Sequence, residues 1–113
     1  MKVIDVYRQY FAAQCEYNGV ERRAALVWLT AESDAGHIRY FCGLSFFPHT
    51  AEDDFSVSYD ACAEETLYDA PGRRSKKREE ALLSLLHARI DALAASLGGS
   101  VDWETPLREA QRA

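Results

Sequence analysis

Residues 37–46 read His-Ile-Arg-Tyr-Phe-Cys-Gly-Leu-Ser-Phe, and the alternation in this stretch decides the fold class. One set of alternate positions is apolar or aromatic throughout: Ile38, Tyr40, Cys42, Leu44 and Phe46. The other set is mixed: His37, Arg39, Phe41, Gly43 and Ser45. Successive side chains of a β-strand point to opposite faces, so this pattern predicts a strand with one buried face. Pro48 follows and ends it.

Three neighbouring segments extend the predicted sheet. Residues 55–61 alternate in the same way, with Phe55, Val57, Tyr59 and Ala61 directed inward. Residues 24–31 are apolar on both faces; their β-branched and aromatic content favours a buried strand, but a helix stays open because the run is short. Residues 65–68 add a short edge strand or cross the end of the sheet.

Helical spacing dominates both ends of the chain. Residues 76–97 carry leucine, isoleucine and alanine at 3–4 spacing, with Ser75 as N-cap and Gly98-Gly99 as terminator. Residues 2–17 show an aromatic stripe at similar spacing, which predicts a first helix that ends at Asn18-Gly19. Thr105-Pro106 predicts a short helix in the tail, and we expect Trp103 to fold back onto the body.

These elements predict an α+β fold of two layers. The order is helix, three or four antiparallel strands, long helix and short C-terminal tail helix, with both helices on one face of the sheet. The chain has 113 residues, of which 48% are hydrophobic, and this suits one domain with a real core. We assign residues 1–99 to that domain and residues 100–113 to a tail that packs back or is partly flexible.

Composition excludes several classes of protein. The net charge of −5 argues against nucleic-acid binding by bulk charge. Three widely spaced cysteines indicate neither a disulfide framework nor a zinc site, and no apolar run approaches about 18 residues, so we expect a reduced cytoplasmic protein without a membrane segment. The three histidines lack metal-ligand spacing, and no catalytic motif is present. We therefore predict no enzyme activity, no metal and no cofactor.

A basic segment precedes the long helix. Five of its six positions are cationic: Arg73, Arg74, Lys76, Lys77 and Arg78. A cation in the first turn of a helix interacts unfavourably with the helix dipole and destabilises the helix by roughly 0.3–1 kcal/mol. The segment therefore needs a neutralising group within the protein or an external anion. The seven acidic residues of the segment 52–69 are one candidate, and phosphate groups are the other. The sequence leaves both open.

Residues 48–86 resemble the C-terminal half of a double-stranded-RNA-binding domain. Pro48-His49 is similar to the loop of that family, Phe55, Val57 and Tyr59 are similar to its alternating strand, and Gly72 followed by Ser75-Lys76-Lys77 is similar to the start of its second helix. The resemblance implies a helix–three strands–helix order and duplex RNA as partner. It also implies that His49 and residues 73–78 contact the RNA.

The leading functional hypothesis is a small non-catalytic interaction or accessory protein that associates with itself or binds another protein. We expect its interface on Tyr7 and Tyr10 of the predicted first helix, or on Phe41 and Phe47 of the sheet face that no helix covers. The alternative is a duplex-RNA-binding module acting through the basic segment. Size and acidity alone suggest a third, a phage or mobile-element inhibitor.

Overall fold

The described part of the chain forms a five-stranded antiparallel sheet and one helix. A computed structural model describes residues 1–49 and 61–107. The elements are β1 (Lys2–Tyr17), β2 (Val20–Asp34), β3 (His37–Phe47), β4 (Cys62–Pro71), α1 (Lys76–Ser96) and β5 (Gly99–Leu107).

The strands lie in the order β4-β3-β2-β1-β5, and every neighbouring pair is antiparallel. The first three strands are joined by two tight turns, Asn18-Gly19 and Ala35-Gly36, in which all four residues have positive φ between 50° and 78°. Turns of this kind match the twist of a hairpin. Helix α1 then connects one edge strand, β4, to the other, β5.

The hydrophobic core lies between α1 and one face of the sheet. The predicted inward face of β3 is confirmed, since Ile38, Tyr40, Cys42, Leu44 and Phe46 are all at most 2% exposed. Alternate residues of β2 lie beside them, and α1 packs against both strands. The main contributors are Val27 and Leu29 of β2 and Leu82, Leu86, Ile90 and Ala94 of α1. Residues 24–31 thus belong to a strand, and the long helix is confirmed at 76–96.

The predicted fold of two long helices packed on three or four strands is wrong. Residues 2–17 form β1, near the middle of the sheet, and not a helix. Register shifts between Asp5 and Tyr7, and between Ala12 and Cys15, interrupt the pairing of β1 with β2, and the first changes the phase of the alternation. Ile4, opposite the buried Ala31, and Tyr7, opposite the buried Leu29, therefore lie on the core face only three positions apart. Core residues follow at spacings of four, Phe11 and Cys15, so the whole set imitates a helical stripe.

The predicted tail helix is also wrong, because residues 99–107 form β5 and pair with β1. Proline is tolerated here because β5 is an edge strand. Asp102 accepts hydrogen bonds from the Glu104 amide at 3.0 Å and from the Thr105 hydroxyl at 2.9 Å, where the pairing with β1 shifts. Trp103 folds back as expected, with its ring centroid 4.9 Å from that of Phe11.

The helix–three strands–helix order implied by the resemblance is not the order found. The predicted strand at 55–61, with Phe55, Val57 and Tyr59, lies outside the described residues apart from its last position. The short edge strand suggested at 65–68 is part of the longer strand β4.

Candidate functional site

The sheet has a second face, directed away from α1, which we call the far face. Strand register places its residues in rows: Trp28 lies opposite Gly43, Thr30 opposite Phe41, and Glu32 opposite Arg39. On β4, Glu64 and Thr66 continue the rows of Gly43 and Phe41. Trp28, Arg39 and Phe41 are half-buried, so each is held by neighbours and still meets solvent.

The indole ring of Trp28 lies directly over the backbone of Gly43. A Cβ atom added at Gly43 would come within 2.6 Å of the Trp28 ring and within 2.7 Å of the Ala63 carbonyl oxygen, so only glycine leaves room for the ring. The indole N–H donates to a carboxylate oxygen of Glu64 at 3.3 Å. Three adjacent strands therefore determine where the Trp28 ring lies.

Phe41 is a second aromatic residue of the far face, and neighbouring side chains also hold its ring in place. The Arg39 guanidinium is 4.2 Å from the centroid of the Phe41 ring, at cation–π distance. Arg39 also donates to Glu32 at 3.4 Å and to the Thr66 hydroxyl at 2.8 Å. These bonds hold the guanidinium against the ring.

This arrangement is suited to contact with another macromolecular surface. Tryptophan and arginine are enriched among the residues that dominate binding energy at protein interfaces. Side chains that are already ordered lose little conformational entropy on binding, which otherwise opposes association by roughly 0.5–1.5 kcal/mol for each immobilised side chain. The far face therefore offers a preorganised aromatic contact surface.

The four residues predicted for the interface fall in different places. Phe41 and Tyr10 are half-buried on the far face. Phe47 shares that face but is only 5% exposed, and its ring centroid is 6.2 Å from that of Tyr10. Tyr7 instead packs against the core on the side of α1, where burial raises the pKa of its hydroxyl.

Trp28 is the residue that the sequence did not single out. It stands in a run that is apolar on both faces, so no alternation distinguishes it from its neighbours. The only local signal is Gly43, an isolated glycine within an alternating strand, which is typical of close approach by another group. The pairing of these two residues depends on the β2–β3 register.

The basic segment at the start of α1 is partly neutralised from within. Ser75 caps the helix as predicted, since its side chain accepts a hydrogen bond from the Arg78 amide at 3.2 Å. Arg74 donates two hydrogen bonds to Glu79, at 2.7 and 2.9 Å, and the Tyr40 hydroxyl donates a third at 2.8 Å. Hydrogen bonds from Arg74 outweigh burial and hold the pKa of Glu79 below its usual value.

The remaining cations of the segment do not pair with the acidic residues that the structure describes between 62 and 69. Arg78 lies over the Tyr68 ring at 4.0 Å, whereas Arg73, Lys76 and Lys77 are exposed and form no ion pair with any residue in the described ranges. The acidic side chains between 62 and 69 contact other groups: Glu64 contacts Trp28, Glu65 contacts Arg89, and Asp69 contacts His37.

His49 is not brought together with the basic segment. Tyr40 contacts the start of α1, whereas His49 follows the opposite end of β3. The strand from Tyr40 to its end at Phe47 alone spans seven residue steps, which corresponds to roughly 23 Å. A single contact with one phosphate group cannot join these two positions.

Comparison of the chain with protein-family models, with curated proteins and with solved structures gave no match. Within residues 1–49 and 61–107, no helix is long and apolar enough to cross a membrane. Over the same ranges, no three histidine, cysteine or acidic side chains come together in a metal-binding arrangement.

Proposed function

We propose that this protein is a non-catalytic binding protein that associates with a second copy of itself through the far face of the sheet. The observation that carries the proposal is the Trp28 ring, held over Gly43 and tied to Glu64 while part of it remains exposed. A large aromatic side chain held in this way is typical of the centre of a protein interface.

The charge pattern of the far face supports self-association over a strongly charged partner. The face carries the cation Arg39 together with the carboxylates Glu32 and Glu64 on either side of the aromatic residues. A two-fold symmetric dimer presents the same surface on both subunits, so an interface with both signs of charge can be complementary to itself. We also propose a cytoplasmic location, which the three free cysteines support.

The test is the molar mass in solution, measured by sedimentation velocity over a range of protein concentrations. We expect wild-type protein to dimerise at concentrations of about 10–100 µM, and Trp28→Ala and Phe41→Ala to be monomeric there with unchanged circular dichroism. Leu85→Ser is the matched control, because Leu85 is an apolar residue of α1 that is 52% exposed, on the other side of the molecule. It should dimerise like wild type. Wild-type protein that remains monomeric at about 1 mM would contradict the proposal.

A second candidate function, duplex-RNA binding, is favoured by one observation. Arg73, Lys76 and Lys77 are exposed without ion pairs to described residues, at the start of a helix that Ser75 caps. If these three cations neutralise phosphate groups, the RNA affinity should decrease as salt is added. A plot of log affinity against log salt concentration should have a slope of about −2 to −3. Lys76→Ala should reduce the slope by about one. No binding at about 50 µM RNA and low salt would eliminate this function.

A further inference from the structure

A cavity of about 780 Å³ lies at the end of the sheet nearest the β1–β2 turn. Its walls come from β1, β2 and the link between α1 and β5, and include Ala13, Cys15, Glu16, Glu21, Arg22 and Gly99. It is separate from the Trp28 and Phe41 rows of the far face.

Arg22 is the unusual member of this lining. The residue is only 3% exposed, and its buried Nε atom has no hydrogen-bond partner among the described residues. Nη1 donates a long hydrogen bond, at 3.4 Å, to the Phe46 carbonyl oxygen. Among the described residues, no carboxylate forms an ion pair with it. Burial of a guanidinium without a counter-charge opposes folding by several kcal/mol, so such a group requires an explanation.

Two other arginines of the structure show what the Nε–Nη2 edge of a guanidinium is suited to bind. Arg74 holds Glu79 through Nε and Nη2 at 2.7 and 2.9 Å, and Arg89 holds Glu65 through the same two atoms at 2.9 and 2.8 Å. In Arg22 no described residue accepts from Nε or Nη2. This edge matches the two oxygens of a carboxylate in a bidentate pair. Because Nε is closed to solvent without ligand, the guanidinium has to turn toward the cavity when a carboxylate binds.

The charges around the cavity restrict the ligand further. Glu16 lies directly opposite Glu21 in the β1–β2 register, and Arg23 pairs with Glu21 at 3.1 Å. The exposed rim is therefore close to neutral or slightly acidic, and it disfavours ligands with several negative charges. A ligand with one carboxylate meets the least repulsion.

We propose that this cavity binds a monocarboxylate through the Nε–Nη2 edge of Arg22. The carboxylate belongs either to a small organic acid or to the C-terminus of a peptide, and both present the same two oxygens. The proposal does not depend on self-association of the far face, because it uses different residues.

Thermal unfolding of the full chain tests the proposal, with sodium acetate as the probe and sodium chloride at equal ionic strength as the reference. We expect a saturable rise in melting temperature with acetate up to about 100 mM, where a millimolar site is filled. The rise should disappear in Arg22→Met and persist in Arg73→Met, which removes an exposed arginine that does not line the cavity. A tripeptide with a free C-terminus and its C-terminal amide form the second arm.

A rise with acetate assigns the site to small acids, and a rise with the peptide acid alone assigns it to chain termini. Equal effects of peptide acid and amide, no saturable effect of any carboxylate, or an equal acetate effect in Arg22→Met would overturn the proposal. An inorganic phosphate effect as large as that of acetate would overturn the preference for a carboxylate.

Two measurements guard against an indirect effect of the substitution. In wild-type protein, the NMR signal of the Arg22 Nε–H group should shift as acetate is added, and an unmoved signal would count against binding there. Without ligand, Arg22→Met should melt at the same temperature as wild type or higher, because the apolar side chain removes an unpaired buried charge. A clear decrease would reveal an internal partner for Arg22 and overturn the inference.

Discussion

Replacing Glu79 by glutamine should destabilise the protein by about 2 kcal/mol at neutral pH. Glu79 is the first-turn carboxylate of α1 and is only 8% exposed. It accepts two hydrogen bonds from Arg74 and one from the Tyr40 hydroxyl. Glutamine has the same size but no charge. Its side-chain NH2 group, unlike a carboxylate oxygen, cannot accept a hydrogen bond from Arg74 or Tyr40.

The magnitude follows from these three bonds. A hydrogen bond to a charged group contributes about 1.5–3 kcal/mol net, but the Arg74 side chain is 43% exposed and can return to water when its partner changes. The glutamine oxygen also keeps part of the pairing. The lower end of the range for a single charged hydrogen bond is therefore appropriate, about 2 kcal/mol.

The destabilisation should depend on pH in a defined direction. The pKa of Glu79 is lowered from its usual value of 4.5, chiefly by hydrogen bonds from Arg74. A carboxyl group whose pKa is lower in the folded state stabilises that state above its unfolded pKa and loses this contribution as the pH falls through the folded value. The difference between wild type and Glu79→Gln should thus be full at pH 7 and shrink below pH 4.5.

Urea unfolding at neutral and acidic pH measures both effects, with the transition midpoint as the readout. Glu80→Gln is the matched control: the neighbouring residue is exposed, and its substitution should change stability by less than about 0.5 kcal/mol. Equal midpoints for wild type and Glu79→Gln at pH 7 would refute the argument that Arg74 and Tyr40 hold a stabilising charge. A difference that did not shrink in acid would refute the assigned pKa shift.

Three further predictions concern packing and reactivity. Gly43→Ala should cost about 1–3 kcal/mol in urea unfolding and change the fluorescence of Trp28, since the added methyl group meets the ring and a backbone oxygen; an unchanged midpoint would mean that the ring does not lie there. Trp103→Ala should cost about 3 kcal/mol by the same measurement, because the ring packs on the core and α1 and its N–H bonds an α1 carboxylate; a loss below about 0.5 kcal/mol would contradict this packing. With a thiol reagent at pH 7, exposed Cys62 should react faster than Cys42, although partial burial and the Glu64 carboxylate raise the pKa of Cys62, because Cys42 is buried and burial raises its pKa to about 11; Cys62→Ser should remove the faster phase, and equally fast modification of the Cys62→Ser variant would show that a buried thiol opens easily.

Local patterns predicted the elements whose periodicity is uninterrupted. The strand at 37–47 keeps its alternation throughout, and the helix at 76–96 has a cap, an apolar stripe and a terminating glycine pair. Both signals come from residues close together in the chain, so no knowledge of neighbouring strands is required. Phe41 could be placed on the less apolar face of its strand for the same reason.

Strand β1 shows why the first element was predicted wrongly. The register shift between Asp5 and Tyr7 changes the phase of the alternation, so Ile4 and Tyr7 both lie on the core face, three positions apart. Phe11 and Cys15 follow at spacings of four, and a helix would also produce this combination of spacings. The bulges exist only because β1 pairs with β2 and β5. The tail is similar: Thr105-Pro106 is typical of a helix start, but pairing with β1 makes it part of an edge strand.

The composition of the far face was present in the sequence, but its geometry was not. Trp28 and Gly43 are fifteen positions apart and meet only through the β2–β3 register. The partner of Arg74 is likewise Glu79 of its own helix, brought under the Tyr40 hydroxyl by the packing of α1 on β3. The buried edge of Arg22 has no sequence signal at all, because burial and the absence of an acceptor from the described residues are properties of packing. Alternation and helical spacing determined which residues enter the core, whereas register, bulges and helix docking decided which polar and aromatic groups meet.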